Sequence, residues 1–483
     1  MEKKSLGVNF IFNLMKTLMG VVFPLITFPY ATRILGPEYI GKVDFAHANI
    51  SYFSLIAAFG ISSYAIREGS RFRDDKKRMN TFVGEILAIN FVMVVIAYAL
   101  FGLALLLPVF DGYRKLMLVF STIIILTAFG MEWVFNIYED YKYITIRSFV
   151  FQIVAVIVLF TCVKDYSDYV TYAFVLILSS VGSNIMNIVR SRKYIKLKLS
   201  FSKNMTTHIK PMCYIFLMNV ASSIYLIMDK TMLGYIVGDD AEIGLYGAAI
   251  KIINVLVSIF ASLRVVMTPR VAYCMKTEPK EADKLNEITA KLILMLSIPC
   301  AIGIFFLSKR VLILFAGKEY GPASLALQLL LIDVVIASMN GFLVNQLFIV
   351  HRKDRWASSV VIVGAVVNLI MNSITIPLFG KEGAAVSTCT AEAAIFIMSC
   401  ILARKIFDMG KLVGQLLQSV LASIPMVGIY FAIESTGVSD LMVILVTVLG
   451  GIVSYFAMLF VVKNQLVREG ISQALAKRKG GKA

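Results

Sequence analysis

The feature that most constrains this chain is a series of uninterrupted apolar runs, each long enough for an α-helix to cross about 30 Å of hydrocarbon. They fall over 7–32, 43–66, 81–107, 116–137, 148–163, 169–189 and 211–237, then over 244–268, 288–307, 324–350, 357–378, 384–403, 417–434 and 441–462. The reading is therefore about fourteen spans. Hydrocarbon offers the backbone no hydrogen bonds, so only helices or a closed β-barrel can cross it. The runs lack the alternation of apolar and polar residues that a barrel strand needs, which leaves helices. The expected fold class is an all-α membrane protein. Composition agrees, since 59% of the 483 residues are hydrophobic and only 16% charged, too few to cover a soluble surface.

The net charge of +17 would suit a nucleic-acid partner if the basic residues formed a face. Instead they sit in short loops between spans, where they report topology and contact with anionic membrane lipids, so no nucleic acid is expected. With the N-terminus inside, about 34 of the 47 Lys and Arg residues fall on the cytosolic side and about 9 opposite. The cytosolic loops include Arg67, Arg71, Arg73, Lys76, Lys77 and Arg78, and the tail carries Lys477, Arg478 and Lys479. Both termini are thus expected in the cytosol, with the segment after Lys4 forming the first span rather than a cleavable signal. No extracytoplasmic loop exceeds roughly sixteen residues, which leaves no room for a catalytic domain. The six cysteines include no CxxC pair, and neither the cysteines nor the three histidines form a metal-ligand pattern. No enzyme activity and no cofactor are expected.

The chain also echoes itself. A first span closing on Leu35-Gly36 leads to a helix opened by Gly41, and a seventh closing on Leu233-Gly234 leads to one opened by Gly244. Phe135-Asn136-Ile137-Tyr138 before Lys142 is matched by Leu347-Phe348-Ile349-Val350 before Lys353. The expected organisation is two six-helix bundles related by an internal repeat, 1–200 and 201–404, followed by two extra spans and a basic tail over 405–483.

Ionisable residues within spans carry the functional signal, because each costs at least about 2.5 kcal/mol at a helix centre. Lys16 lies roughly 15 Å into the first span on a face with Asn9, Asn13 and Gly20, which suits a cation lining a water-filled cavity. Arg264, one turn from the cytosolic end of its span, reads equally as a cavity cation or a snorkelling anchor. Lys251 lies higher on the same helix, at a depth where an ion pair with Asp229 is an alternative. Asp333 and Glu392, near mid-membrane, are either proton-carrying coupling carboxylates or partners for nearby cations. Glu85 and Glu132, near the cytosolic ends of their spans, read as partners of the basic loops.

The opening Asn9…Lys16…Pro24…Phe28-Pro29-Tyr30-Ala31-Thr32-Arg33-Ile34-Leu35-Gly36-Pro37-Glu38-Tyr39-Ile40-Gly41 resembles that of the polysaccharide transporters. These are the O-antigen and capsule repeat-unit flippases of the multidrug/oligosaccharidyl-lipid/polysaccharide superfamily. Further matches are Trp133…Glu139-Asp140-Tyr141-Lys142-Tyr143-Ile144…Arg147, Asp229-Lys230-Thr231-Met232-Leu233-Gly234 and Gly380-Lys381-Glu382-Gly383-Ala384-Ala385. The resemblance extends to about Arg404.

It implies two V-arranged bundles that rock between inward and outward states in the bacterial plasma membrane. The implied cargo is undecaprenyl pyrophosphate carrying an oligosaccharide, and the implied partners are the polymerase and glycosyltransferase machinery. The related lipid II flippases place cavity arginines on spans one, two and eight. Here span one offers Lys16, span two only His47, and span eight Arg264 and Lys251. Some of those relatives also bind sodium in the second bundle, and the matching positions are Asp229, Asn368, Asn372, Ala384 and Thr388. The coupling ion is accordingly Na+ or H+, while an Asn368–Asn372 pair serving as interhelical glue is the alternative. A cation-coupled multidrug exporter of the same superfamily is the competing function.

The orientation is directly testable. Cysteines introduced at 36–39 and 317–320 should react with an impermeant thiol reagent on intact cells, and cysteines at 73–77 should not. Reversed labelling would overturn the topology.

Overall fold

The computed structural model describes residues 6–202 and 205–469, with the side chains of 6–11, 13, 14, 221, 222 and 224–226 left out. The side chains of Asn9 and Asn13 and the basic tail 477–479 therefore lie outside the described residues. No strand occurs among those described, and the elements are helical throughout. The chain divides into two compact units, Met1–Gly244 and Leu245–Ala483.

In the first unit, α1 (Leu6–Ala58) is continuous by hydrogen bonding but not straight, because Gly36 at φ 69°, ψ 174° leaves the helical region. Only glycine adopts that conformation without strain. Beyond Ala58 the chain continues into α2 (Ile61–Gly69), opened by Gly60 in the left-handed region. α3 (Lys76–Ala104) starts where Asp75 accepts from the Lys77 and Arg78 amides, both at 3.0 Å, as an N-cap should. α4 (Arg114–Ala128) and the short α5 (Glu132–Ile137) make up one broken span, interrupted at Gly130 and by left-handed Met131 (φ 49°). α6 (Tyr141–Cys162) follows, then α7 (Tyr169–Ile177) and α8 (Asn184–Ser191), joined through a π-helical turn. α9 (Met205–Ile236) completes the unit and packs on α1, α2 and α3.

Lys16 in α1 and Gly69 at the end of α2 show how far the chain bends. Both meet α5, at Glu132 and Ile137 respectively, although a straight helix would hold them roughly 80 Å apart. The chain therefore doubles back at Gly36 and forms two spans, as the apolar runs require.

α10 (Asp240–Thr277) begins in the first unit and runs on into the second. There α11 (Pro279–Ala316) leads to α12 (Ser324–Gly341), which widens to π-helix over Phe342–Phe348. α13 (Asp354–Ala403) is a second doubled-back pair, turning at Gly380 (φ 55°, ψ −128°). Across its fold, Thr375 Oγ1 lies 2.8 Å from the Gly383 carbonyl and 2.7 Å from Ser387 Oγ. Gly364 packs on Ile395, which a straight helix would place roughly 45 Å away.

α14 (Gly410–Glu434) and α15 (Asp440–Val461) are held to α11 by polar contacts at two levels. Arg310 reaches Glu434 at 2.7 Å and Asp440 at 2.8 Å, while Tyr455 donates to the Met295 carbonyl at 2.5 Å. Large apolar side chains face outward throughout. Leu106 and Val453 are 73% and 70% exposed, an arrangement that lipid favours and water does not.

The glycines of the echo meet. A Cβ on Gly41 would overlap the Asp240 carbonyl, and a Cβ on Gly244 would overlap the Pro37 carbonyl. Each glycine thus touches the residue four positions before the other, the reciprocity that a local two-fold axis produces. Nearby, Lys230 Nζ pairs with Asp44 at 2.5 Å, Tyr52 with Thr231 at 3.0 Å, and Tyr235 with Asn49.

Gly41→Ala and Gly383→Ala should each lower the melting temperature of purified protein, at an overpacking penalty of about 1–3 kcal/mol. Gly102→Ala, with nothing within 4 Å of its Cβ, should not. Equal melting temperatures for all three would remove the close contacts.

Candidate functional site

Within the first unit, the break after α4 presents Glu132 at the first position of α5. Its Oε1 accepts from Lys16 Nζ at 2.5 Å, and its Oε2 accepts from Arg147 Nη2 on α6 at 2.8 Å. Two cations thus share one carboxylate, and the triad keeps a formal charge of +1. Its members differ in access. The Lys16 and Glu132 side chains are 36% and 32% exposed, whereas that of Arg147 is 2% exposed. Arg147 also lies over the Tyr143 ring, 5.7 Å from its centroid. Its Nε and Nη1 are buried and have no acceptor among the described residues.

Other charges of this unit are differently engaged. His47 lies against Phe120, ring centroids 5.1 Å apart. Asp229 is buried on α9, one residue before the Lys230 that pairs with Asp44. Glu85 accepts from Ser202 at 2.5 Å and meets His208 Nε2 at 3.0 Å, while His208 Nδ1 lies 2.6 Å from the Tyr64 hydroxyl.

In the second unit, Arg264 of α10 has its guanidinium laid on the bare Cα of Gly341, where a Cβ would overlap it. Nη1 donates to the Ser338 carbonyl at 3.3 Å, and no carboxylate pairs with Arg264 among the described residues. The side chain therefore leans across onto α12 at the start of its π-helical stretch. Gly130 and Gly341, 211 residues apart, have the same separation as Lys142 and Lys353 in the echo. Gly130 marks a break between two helices, whereas Gly341 marks the start of a π-helical stretch in a continuous one. Next to Gly341, Asn340 donates to the Glu392 side chain at 2.5 Å and to its carbonyl at 2.9 Å.

Asp333 is buried on α12, and Lys251 is half-buried on α10. Of the positions matched to a sodium site, Asn368, Asn372, Ala384 and Thr388 lie on α13 in this unit, and Asp229 belongs to the first. Asn372 donates to Asn368 at 3.1 Å. Thr388 donates to the Ala384 carbonyl at 3.1 Å and meets the Tyr246 hydroxyl at 3.2 Å.

One residue of the triad escapes sequence reasoning as part of a span. Arg147 falls just outside a run whose apolar stretch begins at Ser148, so it counts as a loop residue, and Glu132 reads as a partner of the loops. The shortness of that run is the available signal. A sixteen-residue span is too short for the bilayer, and the observed helix begins at Tyr141, which brings Arg147 inside it. Nothing in the sequence marks Gly341 as the seat of Arg264.

A helical protein turned apolar side out, whose spans hold positive charge that no carboxylate among the described residues balances, has the build of a membrane transporter. Comparison with known proteins gives the family. The polysaccharide biosynthesis protein family model matches residues 6–275, and a second model, MatE, matches residues 215–374. A Shigella dysenteriae protein provisionally named an O-antigen transporter is 25% identical over 78% of this chain and 94% of its own length. An Escherichia coli K12 protein named in the same provisional terms is 23% identical over 82% and 95%. Among solved structures, the lipid II flippase MurJ in its inward closed conformation shares the fold at TM-score 0.75. It is 16% identical and covers 95% of this chain and 100% of its own. The chain belongs to the polysaccharide biosynthesis protein family and is a polysaccharide transporter of the multidrug/oligosaccharidyl-lipid/polysaccharide superfamily.

The contrast in burial within the triad has a measurable result. Arg147→Met removes the buried partner of Glu132 and leaves that carboxylate with half-exposed Lys16 alone, so it should lower stability more than Lys16→Met, which removes the half-exposed partner and keeps the buried one. Equal losses in a thermal-shift measurement would show that burial does not separate the two cations.

Proposed function

We propose that this transporter is a flippase for a lipid-linked oligosaccharide. It takes an undecaprenyl-pyrophosphate-linked repeat unit from the cytosolic leaflet of the bacterial plasma membrane and releases it at the outer leaflet by alternating access. Its termini are cytosolic, and the glycosyltransferase and polymerase machinery acts before and after it.

The observation that carries this reading is Arg264. A guanidinium inside a span is costly unless an anion completes it. This one has no carboxylate partner among the described residues and uses one donor on a carbonyl, so most of its fork is free to bind oxygen. A diphosphate supplies both the charge and the acceptor geometry that an arginine fork fits. The residual positive charge at Lys16, Glu132 and Arg147 adds a second cationic locus. The family, and relatives named for O-antigen transport, support a glycan cargo. The match of residues 215–374 to MatE favours a second reading, a cation-coupled multidrug exporter.

The test is complementation of a host that lacks its own repeat-unit exporter. Lys16→Ala should abolish surface glycan at normal membrane abundance, and Lys16→Arg should retain part of it because the charge persists. Gly341→Ala should reproduce the loss seen with Arg264→Ala, since the new methyl group displaces the guanidinium. Full export by both Lys16→Ala and Arg264→Ala would end the reading. Drug resistance without glycan export would establish the second.

A further inference from the structure

The proposed reading makes Lys16 a cation for the cargo's diphosphate, yet in this structure Lys16 is already held by a carboxylate. Its contact with Glu132 is 2.5 Å, so an incoming anion must compete with it. The geometry points to how that competition is resolved. We propose that Glu132 is a built-in counter-ion, which occupies Lys16 until the diphosphate arrives and is then taken up by Arg147.

Three observations support the exchange. First, the two cations hold Glu132 unequally. Lys16 is half-exposed and carries its charge on a flexible stem, so it can turn to a ligand. Arg147 is buried at 2% exposure, packed over Tyr143, and cannot follow.

Second, Arg147 is under-used. It gives Glu132 a single hydrogen bond, while its Nε and Nη1 are buried without acceptors. A buried donor left without an acceptor is destabilising. When Lys16 turns away, the released Oε1 can swing to one of these donors, and a one-bond contact becomes a two-bond fork. The bond lost at Lys16 is thereby offset inside the triad.

Third, the sign of the charge is right. With Glu132 in place the triad is still +1, so it attracts an anion before the exchange occurs. A diphosphate, with more negative charge than a carboxylate, displaces Glu132 from Lys16 more readily than a phosphate monoester would. Glu132 also keeps Lys16 from being an uncompensated charge in lipid when no cargo is present. It is a positioning residue, acting on the cargo through Lys16.

The experiment uses the full-length protein in nanodiscs and measures binding of undecaprenyl diphosphate, with inorganic pyrophosphate and phosphatidylglycerol as separate arms. Glu132→Gln removes the competing charge and should tighten binding of both diphosphates about tenfold, the equivalent of one half-buried ion pair. Lys16→Gln should lose binding. Arg147→Lys keeps the charge but not the planar two-donor fork, so it should weaken binding several-fold without unfolding the protein.

If Glu132→Gln does not accumulate, Glu132→Gln with Arg147→Gln removes the pair together and should again bind more tightly than wild type. Binding by the glutamine variants no tighter than wild type, with Lys16→Gln still defective, would refute the counter-ion and leave the flippase reading intact. A gain confined to phosphatidylglycerol would also refute it. Failure of wild-type protein to bind either diphosphate would overturn the flippase reading and the counter-ion with it.

Discussion

Lipid offers no hydrogen bonds and little dielectric screening, so a charge drawn into a span must find its counter-charge inside the protein. That requirement organises much of this structure. Lys230 reaches Asp44 across 186 residues, Lys16 reaches Glu132 across 116, and Arg310 gathers the end of α14 and the start of α15. Each pairing decides which faces of distant helices turn toward one another, something apolar packing against lipid leaves loosely specified. Arg264 departs from the pattern, and its exception has a local cause. The bare Cα of Gly341 lets a guanidinium lie flat against a widened helix turn, where a carbonyl meets one donor.

The coarse architecture was legible because it rests on local properties of the chain. Twenty-residue apolar runs and glycine-marked turns give the all-α membrane class. They also locate the reversals at Gly36 and Gly380, both inside stretches that hydrogen bonding alone would join into single long helices. The sequence likens Gly41 to Gly244 only by their letters; that the two glycines meet is visible in the structure alone. The interior charges were only half legible. Composition identifies Lys16 and Arg264 as out of place, but not their surroundings, which depend on helices far away in sequence. Arg147 illustrates the difficulty. Counting apolar letters ends its span at Ser148, although the long stem of an arginine lets the helix continue past it while the charge finds a partner indoors. A charged residue at the edge of an undersized run is better read as part of the span.

The crossing of Gly41 and Gly244 differs in kind from the ion pairs around it. It is made by two backbones, so no substitution can strengthen it by degrees; any side chain either fits nothing or pushes the helices apart. The neighbouring contacts of Lys230 with Asp44, Tyr52 with Thr231 and Tyr235 with Asn49 involve side chains that can be exchanged one at a time. The junction thus combines a fixed part with an adjustable one. Sequence drift can tune how firmly α9 and the first turn of α10 hold to α1 by editing the polar contacts. The distance of closest approach stays constant, set by two hydrogen atoms where other residues would carry a side chain.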